Sequence, residues 1–266
     1  IRSILRNHEI IPSDLRSKLL VQGAAIIFDI KTGSVLGMIG GRQEDHYYDY
    51  FNRSVLANRQ PGSTFKPFVY LSAINSGYSP LTRLMNQNVK IKDKSTYWTP
   101  ENWNNEVGGI YTLRQGLYGS VNLISVRIMS DLEISPNEIQ KAAYRFNLTT
   151  PINAVPSITL GSSEVKPIEI ISAYSAIANS GTYLEPMIIN KIMDKNGKLI
   201  KSFLPQPEVI ESEASSYILL DMMRDIVDEY KFKFYDQDEN GKYNDGDYIF
   251  GRGTGHSLRT KYERAI

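Results

Sequence analysis

The sequence contains no cysteine in its 266 residues. Disulfide bonds, thiolate metal sites and cysteine nucleophiles are therefore excluded, and the absence is compatible with a location outside the cytoplasm. No apolar run approaches the roughly 20 residues that a membrane-spanning helix needs, and the N-terminal residues do not form a signal peptide. Thirty basic and 29 acidic side chains nearly cancel, so the overall charge favours neither nucleic acid nor a membrane surface as a partner.

Apolar patterning predicts an α+β domain over 23–266, with 1–22 as a linker from an upstream region. Hydrophobic residues make up 41% of the chain, which is enough for a sizeable core. Alternating apolar residues in 23–41 predict a β-hairpin that turns at a Lys-Thr-Gly triplet, 31–33. A second hairpin is predicted to turn at the Asn-Gly pair 196–197.

Five segments have the apolar periodicity of helices. Their approximate bounds are 61–77, 112–132, 135–148, 166–181 and 212–230. The third segment begins with a Ser-x-x-Glu capping box, and the fourth begins with a proline at the first helical position. The second segment is interrupted at 119–122, where the sequence is Gly-Ser-Val-Asn.

The stretch RQPGSTFKPF places Ser63 and Lys66 three residues apart at a predicted helix start. Residues at i and i+3 share a helical face, and a serine becomes a useful nucleophile when a base lies within hydrogen-bond reach. Pro67 is tolerated in the first turn, so the helix is predicted to begin near Ser63. There the Ser63 N–H would face a developing oxyanion, and partial burial would lower the pKa of Lys66 toward that of a base.

Two further motifs bear on whether Ser63 and Lys66 form a catalytic pair. The chain contains a second Ser-x-x-Lys, from Ser163 to Lys166, whose lysine precedes a helix start, so we interpret it as structural. Ser120 and Asn122 lie in the interruption of the second helical segment. We expect their hydroxyl and carboxamide to face the same cleft as Ser63.

Four blocks of the sequence together resemble the transpeptidase domain of class A penicillin-binding proteins, the bifunctional peptidoglycan synthases. The blocks are VQGAAIIFDIKTGSVLGMIGGR, FNRSVLANRQPGSTFKPFVYLSAI, YTLRQGLYGSVNLISVRI and SITLGSSEVKPIEIISAYSAIANSGTY, in the order of that family. The resemblance covers nearly the whole chain, and RQPGSTFKPF is very specific. It implies a serine β-lactamase or DD-transpeptidase-like fold, in which a helical region accompanies an antiparallel sheet.

The resemblance also implies a role for each candidate residue. Ser63 would be the acyl-enzyme nucleophile, Lys66 its proton acceptor, Ser120 a proton shuttle toward the leaving amine, and Asn122 a binder of the substrate amide. The implied reaction is acyl transfer from a D-Ala–D-Ala stem peptide to an amine on a neighbouring peptidoglycan strand, without a cofactor, and β-lactams would acylate the same serine. An upstream glycosyltransferase domain and a membrane anchor would place the full-length protein on the extracytoplasmic face of the bacterial inner membrane.

The family's third motif, Lys-Thr-Gly followed by Thr or Ser on a central strand, is not found in its expected position. The triplet at 31–33 precedes the nucleophile and is predicted to form a turn, while 252–255 reads Arg-Gly-Thr-Gly and resembles the loop that comes shortly before the motif. We therefore expect the chain to stop short of the C-terminal sheet strands. The hairpin at 23–41 would then lack its sheet partners, and these 266 residues alone would be nearly inactive.

The segment DQDENGKYNDGD, 236–247, has the spacing of an EF-hand-type calcium loop. Oxygen ligands at alternate positions and a turn-making glycine at the sixth let one short loop wrap a hard cation. The candidate ligands are Asp236, Asp238, Asn240, Asp247 and the carbonyl of Lys242. An aspartate stands at the last position instead of a bidentate glutamate, which weakens binding, and the alternative is a solvated acidic turn. Any calcium would be structural, in an insertion at about 230–250.

Two other functions remain open from the residues alone. A serine β-lactamase would share the Ser63–Lys66 chemistry but must also activate water for deacylation, and no dedicated carboxylate is recognisable in the sequence. A carbamate on Lys66 would be the alternative base. A β-lactam sensor or an inert penicillin-binding scaffold would be acylated at Ser63 without turnover.

Overall fold

The computed structural model of the chain describes residues 21–42, 50–93, 95–229, 231–233, 248–252 and 256–259. Three predicted features lie outside these residues and stay predictions: most of the linker, the calcium loop at 236–247 and the Gly-Thr-Gly at 253–255. None of the helices described is both long and apolar enough to span a bilayer.

Within this described part, helices dominate the fold. The α-helices are α1 Arg53–Leu56, α2 Lys66–Asn75, α3 Leu113–Tyr118, α4 Asn122–Asp131, α5 Pro136–Arg145, α6 Pro167–Ala178 and α7 Glu213–Glu229. Two 3₁₀ helices are Gly62–Phe65 and Pro156–Leu160. All five predicted helical segments are confirmed, and the second one is split between α3 and α4, as predicted from its Gly-Ser-Val-Asn interruption.

The strands form short antiparallel pairs. The pairs are β1 Ala25–Phe28 with β2 Val35–Ile39, β3 Arg83–Met85 with β6 Ile110–Thr112, β4 Ile91–Asp93 with β5 Thr96–Trp98, β7 Thr182–Tyr183 with β10 Glu208–Val209, and β8 Lys191–Met193 with β9 Leu199–Ser202. A three-stranded sheet contains β11 Lys231–Lys233, β12 Tyr248–Arg252 and β13 His256–Arg259. Both predicted hairpins are confirmed, and the fold is α+β.

The Lys-Thr-Gly triplet forms the turn of the first hairpin, as predicted. The Lys31 N–H donates to the Asp29 carboxylate at 2.8 Å, and the Gly33 N–H donates to the Asp29 carbonyl at 2.9 Å. Gly33 has φ +72°, a left-handed conformation that glycine adopts without strain. These local bonds assign the triplet to a turn.

Helix α2 lies at the centre of the hydrophobic core. Its sequence KPFVYLSAIN is apolar on almost every face, and each residue from Lys66 to Ile74 is buried. It packs against α4, α5 and α7, and the Phe68 ring meets the edge of Phe146 with 5.8 Å between ring centroids. Packing on all sides fixes the N-terminus of α2, where the candidate residues lie.

The start of this helix differs in detail from the prediction. The chain forms a 3₁₀ turn, Gly62–Phe65, before the α-helix begins at Lys66. The Lys66 N–H donates to the Ser63 carbonyl, which closes that turn. In a 3₁₀ turn side chains at i and i+3 eclipse each other, so Ser63 and Lys66 still project to one side. Pro67 follows in the first α-helical turn, where its missing N–H costs nothing.

Candidate active site

Ser63 lies on an exposed 3₁₀ turn that a neighbouring loop holds in place. Arg59 and Val165 exchange two backbone hydrogen bonds of 3.0 and 2.9 Å, and the Gly62 N–H donates to the Gly161 carbonyl at 3.3 Å. Ser63 itself remains open to solvent. The turn therefore leaves Ser63 open to solvent while its backbone is supported by the loop behind it.

A tyrosine on α6 supports the other side of the same turn. The Tyr174 hydroxyl donates to the Thr64 carbonyl at 2.6 Å. Burial raises the pKa of Tyr174, so the phenol stays a neutral donor. Helix α6 thus fixes the residue that follows Ser63.

Lys66 is buried although it carries an amine. It is 1% exposed, and its Nζ donates to the Ser120 carbonyl at 2.6 Å, to Ser120 Oγ at 3.1 Å and to Asn122 Oδ1 at 2.8 Å. Removal from water disfavours the ammonium form and lowers the pKa of Lys66 to about 8. About a tenth of the amine is therefore neutral at pH 7, and the fraction rises steeply toward pH 8, which suits a proton acceptor.

Ser120 connects the lysine to the nucleophile. Its Oγ donates to Ser63 Oγ at 3.0 Å while it accepts from Lys66 Nζ. The backbone at Ser120 is left-handed, with φ +50°, and this bend turns both its carbonyl and its hydroxyl toward Lys66. We expected Ser63 and Lys66 to share a proton directly; instead, Ser120 links them, because Lys66 Nζ donates to Ser120 Oγ and Ser120 Oγ donates to Ser63 Oγ.

Asn122 is held between the lysine and a loop. Its Oδ1 accepts from Lys66 Nζ, and its Nδ2 donates to the Glu101 carbonyl at 2.9 Å. The structure thus brings all four candidate residues, Ser63, Lys66, Ser120 and Asn122, into one hydrogen-bonded cluster. A hydroxyl nucleophile and an amine base thus belong to one hydrogen-bonded network, the general pattern of an activated serine.

The second Ser-x-x-Lys has a different environment. Ser163 is buried, and its Oγ accepts from the Asn153 N–H at 2.9 Å. Lys166 precedes α6, and its backbone N–H donates to the Glu169 carboxylate at 3.4 Å. These contacts agree with the structural interpretation of this pair.

Sequence reasoning missed the residues that support the cluster from other parts of the chain. They are Glu101 and Asn102 in the loop after β5, Gly161 behind the nucleophile turn, and Tyr174 on α6. Their contacts join positions far apart in sequence, so no local pattern marks them. For metals, the described ranges contain no group of three or more His, Asp or Glu side chains that could hold an ion.

Comparison with known proteins identifies the family. The model of the penicillin binding protein transpeptidase domain matches residues 23–242. Penicillin-binding protein 1A of Neisseria meningitidis is 36% identical over 218 residues, which are 78% of this chain and 27% of that protein. Penicillin-binding protein 2D of Bacillus subtilis is 34% identical over 207 residues, which are 75% of this chain and 29% of that protein. The chain belongs to the penicillin-binding protein transpeptidase family.

Solved structures agree on the fold. Penicillin-binding protein 1A from Haemophilus influenzae superposes with a TM-score of 0.72 at 22% identity, over 77% of this chain and 35% of that one. Penicillin-binding protein A of M. tuberculosis, solved as an imipenem acyl-enzyme complex, gives a TM-score of 0.68 at 16% identity, over 77% of this chain and 57% of that one. The chain spans about a quarter to a third of the length of the curated relatives it matches.

Proposed function

We propose that the chain is the acyl-transferring domain of a peptidoglycan DD-transpeptidase with Ser63 as its nucleophile. The observation that carries the proposal is the hydrogen-bonded path from Ser63 through Ser120 to Lys66, whose pKa burial lowers to about 8. Membership of the transpeptidase family and the imipenem acyl-enzyme formed by a protein of the same fold support acyl-enzyme chemistry at this site.

The path accounts for each proton of the reaction. Neutral Lys66 takes the Ser120 proton while Ser120 takes the Ser63 proton, and Ser63 Oγ bonds to the penultimate D-Ala carbonyl carbon of the stem peptide. The Ser63 N–H stabilises the oxyanion. The C–N bond to terminal D-Ala then breaks as its nitrogen takes the proton from Lys66 through Ser120, and D-Ala leaves as the free amine. The acceptor amine of a neighbouring strand then attacks the ester, and its proton restores Ser63.

The remaining roles are those that the family resemblance implies. Asn122 would bind the substrate amide through the second N–H of its Nδ2, since Oδ1 accepts from Lys66 and the first N–H donates to the Glu101 carbonyl, and the reaction itself would use no cofactor. In the full-length protein, a glycosyltransferase domain and a membrane anchor upstream would supply glycan strands on the extracytoplasmic face of the inner membrane. β-Lactams would acylate Ser63 as mimics of the D-Ala–D-Ala end.

The two Ser-x-x-Lys motifs provide a matched test of the nucleophile. We expect Ser63→Ala to abolish covalent labelling of the full-length protein by a fluorescent penicillin, because the variant lacks the attacking oxygen. Ser163→Ala should still be labelled, because within the described part of the chain the Ser163 side chain accepts from the Asn153 N–H and makes no bond to Ser63, Ser120 or Lys66. In-gel fluorescence measures the labelling of both variants. Labelling of Ser63→Ala at the wild-type level would show that another residue is acylated.

Product analysis separates the competing functions. A transpeptidase releases D-Ala from a stem peptide and forms cross-linked product, which chromatography of the mixture detects. Repeated turnover of nitrocefin would instead indicate a β-lactamase, and acylation without release of D-Ala would indicate a sensor or scaffold.

A further inference from the structure

Helix α4, which carries Asn122, has no cap of its own. Val121 occupies the N-cap position and makes no side-chain hydrogen bond to the helix. The first N–H groups of a helix have no acceptor within it. Here the Leu123 N–H donates to Asn102 Oδ1 at 3.1 Å, across 21 positions of sequence. A side chain from another loop therefore performs the capping that Val121 cannot.

The same loop also fixes the orientation of the Asn122 amide. The Glu101 carbonyl accepts from Asn122 Nδ2, which leaves Oδ1 facing Lys66 Nζ. An amide has a donor end and an acceptor end, so fixing one end fixes the other. Two adjacent loop residues, Glu101 and Asn102, thus hold two adjacent helix residues, Asn122 and Leu123.

Rotating the Asn102 side chain out of this position would be costly. It is 6% exposed, and its Nδ2 donates to Asn86 Oδ1 at 2.8 Å and to the Glu106 carbonyl at 2.7 Å. Asn86 is also buried and donates to the Gly108 carbonyl at 3.1 Å. A different rotamer would leave several buried polar groups unpaired. The network therefore holds the Asn102 acceptor against the start of α4.

We propose that Asn102 is a positioning residue for acyl transfer: it caps α4 from the neighbouring loop and thereby holds Ser120 and Asn122 at bonding distance from Lys66. The inference rests on the proposed function of Ser63. Asn102 touches no reacting atom and acts through the segment that precedes and begins α4.

Stopped-flow acylation of the full-length protein by a fluorescent penicillin tests the inference. We expect Asn102→Ala to lower the acylation rate constant by about 10- to 100-fold, because a small misplacement of catalytic groups has an effect of this size. The dissociation constant for non-covalent binding of the penicillin should change little. Asn102→Asp keeps an acceptor for the Leu123 N–H but loses both donor bonds. It should therefore recover most of the acylation rate, although its unfolding temperature falls at least as far as that of Asn102→Ala.

Asn104→Ala is the matched control, since Asn104 is an exposed amide of the same loop whose side chain, among the described residues, bonds to Glu106 alone. It should acylate at the wild-type rate. The inference is overturned if Asn102→Ala also does so, or if the rates of the Asn102 variants simply follow their unfolding temperatures. The proposed function itself would instead be overturned if the fluorescent penicillin failed to label the wild-type protein, or if it labelled Ser63→Ala.

Discussion

At the scale of single residues, the site depends on one buried amine. Desolvation is the cause of the low pKa of Lys66, so the base is tuned by the packing around it. Ser120 keeps a left-handed backbone, which costs a non-glycine residue roughly 1–2 kcal/mol. The short bond from Lys66 Nζ to the Ser120 carbonyl offsets part of this strain. The bend and the buried amine therefore stabilise each other.

Lys66→Arg should abolish acylation at any pH at which the protein is folded. Arginine keeps the positive charge and the donors, but its pKa lies above about 12, so it cannot accept a proton. The wild-type rate should rise with pH and level off above about 8, because the neutral lysine then predominates. Lys166→Arg is the control and should keep the wild-type profile. A wild-type rate that does not change between about pH 6 and 9 would contradict a lysine base with this pKa.

At the scale of elements, the helices whose start signals are local could be predicted from the sequence. The Ser135 Oγ accepts from the Glu138 N–H at 3.3 Å, and the Glu138 carboxylate accepts from the Ser135 N–H at 2.7 Å. The Ser135 hydroxyl also donates to the Glu138 carboxylate at 2.8 Å, and this bond and the one from the Ser135 N–H lower the pKa of Glu138. Similarly, Gly197 adopts φ +81° in the predicted hairpin turn. Each signal involves residues within one turn, so sequence spacing alone reveals it.

Contacts between distant segments could not be predicted in this way. The bridge between Arg59 and Val165 and the bond from Leu123 to Asn102 depend on how the chain packs. The expected direct contact of Ser63 with Lys66 was inferred from helical spacing, which is local. Helical spacing could not predict that the Ser120 hydroxyl lies between Ser63 and Lys66, because the bend at 119–121 reaches the site only in the folded chain.

Gly161→Ala should disrupt the nucleophile turn. Gly161 has φ +69°, and a Cβ there would overlap the backbone of Gly62, one residue before Ser63. We expect a loss of more than about 2 kcal/mol in the free energy of unfolding together with a loss of penicillin acylation. Chemical denaturation and fluorescent labelling measure the two effects.

Gly197→Ala is the matched control for this glycine. Gly197 has φ +81°, but a Cβ there would meet open space. Only backbone strain of about 1 kcal/mol is therefore expected, with acylation retained. Equal losses in the two variants would mean that φ alone, and not the contact with Gly62, determines the effect.

At the scale of the whole molecule, the fold places a buried base beside an exposed nucleophile. Helix α2 runs through the core with Lys66 at its N-terminal end, and the 3₁₀ turn before it reaches the surface at Ser63. The core therefore desolvates the amine, while substrate approaches the serine from solvent. Stability and acylation should then respond differently to changes far from this end of α2.

Phe146→Ala tests this separation. Phe146 is fully buried and packs edge-on against Phe68 of α2, so its truncation should lower the free energy of unfolding by about 3–5 kcal/mol. Tyr217→Ala, at a side chain that is 64% exposed on α7, should change it little. Because no bond of the Ser63–Ser120–Lys66 path involves Phe146, the acylation rate of the folded protein, measured well below the unfolding transition, should fall far less than in Gly161→Ala. If Phe146→Ala lost acylation while its thermal unfolding stayed unchanged, the core would act on the chemistry itself and not only on the stability of α2.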